Sequence, residues 1–264
     1  GDPGRPEVLL PPSASPHHFA LRPSDVRRVQ GADLLYWVGP DLEGFLPRVL
    51  AGRDKPSAAV QELPGLTLRH FGQAAHGEDE HDDHDDDHRP GSLDAHLWLL
   101  PANARVIAAR MADDLAAQDP ANAARYRANL AAFEQRLDAL DQRLRARLAP
   151  LAGQPYFVFH EAYDYFEAAY GLRHAGVFSL GEVQPGVRQV AELRERLRAA
   201  GPTCVFYEPP QAPRLAQTLI EGLPVRLAPL DALGYELPVD ARAYERLLET
   251  LGEQLAGCLT PAAR

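Results

Sequence analysis

The chain has 264 residues, 45% of them hydrophobic, enough for one large domain or two of ordinary size with a full core. The formal net charge is −10, and an acidic run between residues 74 and 91 supplies most of it. The near-neutral remainder argues against nucleic acid or an anionic membrane as partner, and no apolar run approaches the roughly 20 residues that span a bilayer.

The chain begins GDPGRP, without an initiator Met or a signal peptide, and reads as a mature or trimmed product. The first stretch is Pro-rich, with one short strand candidate at Glu7-Val8-Leu9-Leu10. Ser15-Pro16-His17-His18 reads as a loop, because Pro16 removes a donor and fixes φ. Pro23-Ser24-Asp25 starts a short helix to about Gln30. Ala32 to Val38 is apolar and of strand length, as for a parallel strand covered on both faces. A short helix is expected over Phe45 to Leu50 and a strand over Leu66 to Phe71.

The stretch from Gln73 to Pro101 changes character. His76, His81, His84 and His88 are set among Asp and Glu, a composition too polar to offset chain entropy by burial. It reads as a mobile loop over about residues 74–91. Imidazole and carboxylate are also the ligand types that suit zinc and its first-row neighbours. The loop runs into the apolar segment LDAHLWLLP, where His96 is placed as an ordered ligand. The plain alternative is an acidic solvated linker followed by one core histidine.

Pro101 starts a helix to about Ala117, with Ala104, Ile107, Met111 and Leu115 expected on one face. From Pro120 to about Ala149, Leu130, Phe133, Leu137, Leu140, Leu144 and Leu148 fall three or four apart. At 1.5 Å per residue this helix is on the order of 40 Å long and is expected to connect two lobes. Strands are then expected at Tyr156 to His160, Ala175 to Leu180, Thr203 to Tyr207 and Val225 to Leu230. Helices are expected at Ala162 to Tyr170, Val187 to Ala199, Pro213 to Glu221 and Ala241 to Leu259. The alternation implies an α/β protein with mainly parallel sheets. The domain reading is an N-terminal lobe over 1–119, a connecting helix over 120–149 and a C-terminal lobe over 150–264.

Ligands in such sheets bind beyond the carboxyl ends of the strands, where His160, Glu208 and Asp231 fall. His17, His96, His160 and Asp231 are the candidate metal ligands, two from each lobe; three histidines with a carboxylate or water make a tetrahedral zinc set. Singly, each histidine also reads as a satisfied core or surface residue. His18 competes with His17, while His70 and His174 read as structural. Cys204 and Cys258 are either buried thiols or a disulfide formed in an oxidising compartment, worth about 4 kcal/mol in the chain-entropy model. There is no H-E-x-x-H, G-x-S-x-G, Walker loop or G-x-G-x-x-G. Glu208 or Glu161 could serve as a base for a zinc-bound water, although no spacing demands it.

SPHHFALRPSDV, ADLLYWVGP, the His/Asp-rich loop, DAHLWLLP, FVFHEAYDYF and TCVFYEP together resemble the zinc-specific solute-binding proteins of bacterial ABC metal importers. The resemblance covers nearly the whole chain in order. It implies two α/β lobes joined by one long helix, with Zn²⁺ in the cleft between them. It assigns His17, His96 and His160 as ligands and Asp231 or water as the fourth. Manganese-specific relatives have Glu at the third position, so His160 favours zinc. Some members place a Glu just before the first His; Pro16 removes that option here. Cys204 and Cys258 match the disulfide positions.

The resemblance has departures. The first strand and helix are absent, Val177 stands where some members carry an auxiliary ligand, with His174 nearby, and His18 is a spare ligand candidate. The resemblance further implies a periplasmic, non-enzymatic monomer that delivers zinc to an ABC permease, with periplasmic zinc chaperones as further candidate partners. The loop histidines would be an accessory zinc-collecting segment. A three-His zinc hydrolase and a periplasmic zinc buffer without a permease are the competing readings.

Overall fold

Proline marks the helix entries, because the first helical position has no use for its N–H and Pro presets φ there. The computed structural model describes residues 6–12, 14–72, 90–178, 187–210, 212 and 214–260. Helix α1 (Pro23–Gly31) opens on Pro23, and Asp25 accepts the Arg22 backbone N–H at 3.0 Å. Strand β1 (Leu35–Trp37) pairs in parallel with β2 (Ser57–Ala59), across the short helix α2 (Pro47–Leu50). β3 (Arg69–His70) and β4 (Leu93–Asp94) form an antiparallel pair, and the acidic run with His76, His81, His84 and His88 lies between them, outside the described residues. A 3₁₀ turn, Leu97–Leu99, then leads to helix α3 (Pro101–Gln118).

Three expectations are corrected here. Glu7 to Leu10 forms no strand. β1 is half-buried rather than covered on both faces; among the described residues its sheet consists of β1 and β2. In α3 the buried positions are Pro101, Asn103, Ala104, Ala112 and Ala116, while Leu115 is 38% exposed. Of the expected face, Ala104 is buried and Ile107 packs against the core, whereas toward the end of the helix Ala112 and Ala116 take the interior in place of Leu115. β2 carries Ser and Ala rather than β-branched residues, and its strand was not legible in the sequence.

Helix α4 (Ala123–Leu148) is flanked by 3₁₀ turns at Pro120–Asn122 and Ala149–Leu151. Leu137, Leu140, Leu144 and Leu148 are buried, and they belong to the core that also holds Leu97, Leu99, Tyr165 and Leu251. This helix is therefore more than a connector. It packs along α3 and along the last helix, α8 (Ala243–Leu259). Gly252 of α8 permits the approach, since a Cβ there would lie 2.5 Å from Leu144 Cδ2. Arg136–Glu245, Arg143–Glu249 and Arg147–Glu253 pair along the outside of the same seam.

The C-terminal sheet is four parallel strands in the order β6–β5–β7–β8. They are β5 (Tyr156–Val158), β6 (Gly176–Val177), β7 (Thr203–Tyr207) and β8 (Val225–Pro229). Helices α5 (Asp164–Tyr170), α6 (Val187–Ala200) and α7 (Arg214–Ile220) make the crossovers. β5 is buried throughout, as expected of a central parallel strand. Cys204 of β7 and Cys258 of α8 form a disulfide with Cα atoms 6.2 Å apart. The α/β class with a parallel sheet and a long helix is as the sequence implied. Among the described residues, no helix is long and apolar enough to cross a membrane.

The two halves meet through specific hydrogen bonds. The Tyr165 hydroxyl donates to the Asp94 carbonyl and accepts the Arg69 N–H, both at 2.8 Å. Trp98 Nε1 donates to the Ala232 carbonyl at 3.0 Å, and the Trp98 carbonyl accepts the Tyr244 hydroxyl at 2.8 Å. These bonds fix the loop after β4 against the rim of the C-terminal sheet.

Candidate metal centre

Each residue at this rim lies in a loop or just past the end of a strand. His17 lies in the Pro-rich loop before α1. His96 lies between β4 and the 3₁₀ turn, with a backbone of φ −77° and ψ 33°. His160 follows the end of β5, Glu208 follows β7 and Asp231 follows β8, all at the carboxyl ends of parallel strands. These residues line one cavity of about 120 Å³ together with Pro16, Leu233 and Tyr235.

Within it His17, His96 and His160 converge, each offering a ring nitrogen within 4.8 Å of the others. His17 Nε2 and His96 Nε2 are 3.3 Å apart. Two imidazole nitrogens on one tetrahedral zinc, at about 2.0–2.1 Å each, would stand roughly 3.3–3.4 Å apart. The ring centroids lie 5.3 Å apart for 17–96, 5.2 Å for 17–160 and 4.8 Å for 96–160. His18 lies 6.2 Å from the His17 ring and stays outside the group.

Two of the rings are held from behind. His96 is 2% exposed, and its Nδ1 lies 2.7 Å from Asp94 Oδ1, which also accepts the His96 backbone N–H at 3.0 Å. His160 Nδ1 lies 2.9 Å from Glu208 Oε2. With Nδ1 committed, Nε2 is the atom left for a ligand, which is how a neighbouring carboxylate orients a metal-binding histidine. Asp94 was not legible as part of the site. The D-x-H spacing in LDAH could have signalled it, since a carboxylate two residues ahead reaches back to the ring.

Burial governs the electrostatics. It pushes the Asp94 carboxyl up to about 7 and holds His96 well below the usual imidazole range, helped by His160 and His17 beside it. A buried charge without a counter-charge is expensive, so the apo pair is driven toward its neutral forms. Burial acts on Glu208 in the same direction, but the attraction and hydrogen bond of His160 outweigh it and the carboxyl ends below its ordinary value.

Asp231 lines the cavity, yet it is not among the groups gathered within 4.8 Å. Its Oδ1 accepts the N–H groups of Leu233 and Gly234, and its Oδ2 accepts that of Tyr235 at 2.6 Å. In this arrangement it organises its own loop.

A second gathering of ligand types lies at Asp164, Glu167 and His174. Here the donors are already committed. Glu167 Oε1 accepts the Tyr156 hydroxyl at 2.5 Å and the His174 backbone N–H at 3.0 Å, and both carboxylate oxygens lie 2.9–3.0 Å from His174 Nδ1. His174 keeps its structural reading.

A family model described as "Zinc-uptake complex component A periplasmic" matches residues 1–258. The high-affinity zinc uptake system protein ZnuA of Yersinia pestis is 38% identical over 266 residues, covering 96% of this chain and 84% of that protein. ZnuA of Paracoccus denitrificans is 37% identical over 281 residues, covering 98% and 86%. A crystal structure of ZnuA superposes with a TM-score of 0.79 at 23% identity, covering 98% of this chain and 92% of that one, a likeness of fold. With most of its length matched by that family model and by relatives above 30% identity, the chain belongs to the periplasmic zinc-uptake component A family.

Proposed function

We propose that this chain captures Zn²⁺ in the periplasm and hands it to the membrane permease of an ABC importer for high-affinity zinc uptake. His17, His96 and His160 are the ligands, and the fourth position goes to Asp231 or to a water. The observation that carries the reading is the convergence of three imidazoles with two Nε2 atoms at tetrahedral-ligand spacing. Nitrogen ligands suit zinc, and membership of the family agrees with zinc as cargo.

The site is read as non-catalytic. Of the two candidate bases, Glu208 is committed to His160 Nδ1, where it serves ligation, and Glu161 is not among the residues lining the cavity. The acidic run supplies four further histidines, His76, His81, His84 and His88, whose composition suits weak zinc collection ahead of the cleft. The protein is taken to act as a monomer, with periplasmic zinc chaperones as further partners.

The test is a zinc titration of metal-free protein beside a variant lacking residues 74–91, with bound zinc counted directly. One tight site retained in the deletion is the expected result. Loss of tight binding with the loop would overturn the cleft assignment and favour a buffer.

A further inference from the structure

Three neutral imidazoles bring no charge to a dication. A buried Zn²⁺ held by them alone would keep its full charge in a poorly hydrated setting, which is strongly unfavourable. The charges nearest this triad are carboxylates in contact with the rings. Asp94 is 1% exposed and touches His96; Glu208 lines the cavity and touches His160.

We propose, on the reading that His17, His96 and His160 hold Zn²⁺, that Asp94 and Glu208 are positioning residues that lock two imidazoles in the metal-binding orientation and balance the charge of the dication.

The geometry supports both parts. Each carboxylate meets an Nδ1 at 2.7–2.9 Å, leaving the Nε2 atoms to converge. Asp94 Oδ1 is fully used, since it also holds the His96 backbone, whereas its Oδ2 has no hydrogen-bond partner among the described residues. A buried carboxylate oxygen left so needs compensation from beyond its hydrogen bonds, and a cation on the far side of His96 supplies it. With water in the fourth position, the two carboxylates and one Zn²⁺ sum to zero. The arrangement therefore discriminates against the empty state as well as orienting the ligands. Asp94 also ties the site to the other half of the molecule, through its carbonyl and Tyr165.

The test uses the full chain, a chromophoric chelator in competition for Zn²⁺ at pH 7.5, and the visible spectrum of the Co²⁺-loaded protein. Asp94→Asn and Glu208→Gln keep an acceptor but lose the charge, and each is expected to weaken zinc about tenfold; Asp94→Ala and Glu208→Ala also release the ring and approach 100-fold. The alanine variants should alter the cobalt bands, while the amide variants alter them less. Wild-type affinity and cobalt spectra in both alanine variants would overturn the proposal. Glu208, with 29% of its side chain exposed, is the less buried of the two, so its variants, checked by urea unfolding, carry the test if the Asp94 changes destabilise the chain. His96→Ala is run alongside: if it retains wild-type affinity, the three-His reading itself fails, a result distinct from failure of the carboxylate pair.

Discussion

Two clusters in this molecule gather metal-ligand side chains and commit them differently, one of three imidazoles and one of two carboxylates and an imidazole. At His17, His96 and His160 three imidazoles turn their nitrogens toward one cavity. At Asp164, Glu167 and His174 the atoms are as close, but the histidine points its Nδ1 at Glu167, and Glu167 also takes the Tyr156 hydroxyl. In the first cluster His96 and His160 direct Nε2 toward a ligand because Asp94 and Glu208 meet their Nδ1 atoms from behind. The second spends its polar atoms on itself. Proximity of ligand types is thus a weak sign of a metal site; what each atom already binds decides it.

The largest effect that could break this contrast is at His96. His96→Ala is expected to reduce zinc affinity by at least about 100-fold, read by competition titration, whereas His174→Ala should leave one tight zinc. Equal losses would erase the distinction.

The next effect is on folding. Glu167 is 3% exposed, and Glu167→Ala removes the nearer of the two carboxylates facing His174, Asp164 being 3.9 Å away, at a cost of about 3 kcal/mol in urea unfolding. Zinc affinity in the same variant should stay within about threefold, as for separate sites.

The pH responses of the clusters sharpen the contrast further. Burial lowers the His174 pKa, but the hydrogen bond and charge of Glu167 outweigh it, and the net shift is upward from 6.5. A raised folded-state value means the stabilisation is complete below about 6.5 and is lost as pH rises through the folded pKa. Glu167 ends below its ordinary 4.5 for the same reason, so its contribution is present above about 4.5 and is lost as pH falls. Unfolding free energy measured from pH 5 to 9 should therefore decline on the alkaline side, and His174→Gln should remove that decline.

His96 moves the other way. A three-His site is expected to lose zinc as pH falls through about 6.5. Burial keeps His96 neutral to well below that value, so its share of proton competition falls at lower pH. Zinc affinity followed from pH 8 to 5 should decline on the acid side; an affinity flat across that range would count against imidazole ligation.

The smallest expected effect is at the contact between the halves. Trp98→Phe removes the bond to the Ala232 carbonyl and should cost about 1 kcal/mol. A larger loss of zinc than of stability would show that this bond also places His96, whose ring centroid lies 5.4 Å from that of Trp98.

The α/β alternation, the long helix and the strand-end positions of His160, Glu208 and Asp231 were legible in the chain, because periodicity and turn residues are local properties. His17, His96 and His160 are candidates from loop or strand-end placement and the resemblance, and the structure brings the three together. Other features were not legible. The C-terminal part of the buried face of α3 follows Ala112 and Ala116 rather than Leu115, because interhelical spacing decides which side chains fit. β2 has no strand-like composition and exists through its pairing with β1.

The amino-acid sequence by itself determined which chemistries were available: imidazoles at loop and strand ends, carboxylates nearby, and a parallel-sheet frame. Only the tertiary structure decided their commitments. It brought His17 to within 3.3 Å of His96 across 79 positions of chain, placed Asp94 and Glu208 behind the rings, and turned the Asp231 oxygens to its own loop. Hydrogen bonds depend on angles and distances between distant segments, and those are set by packing of the whole molecule rather than by any local run of residues.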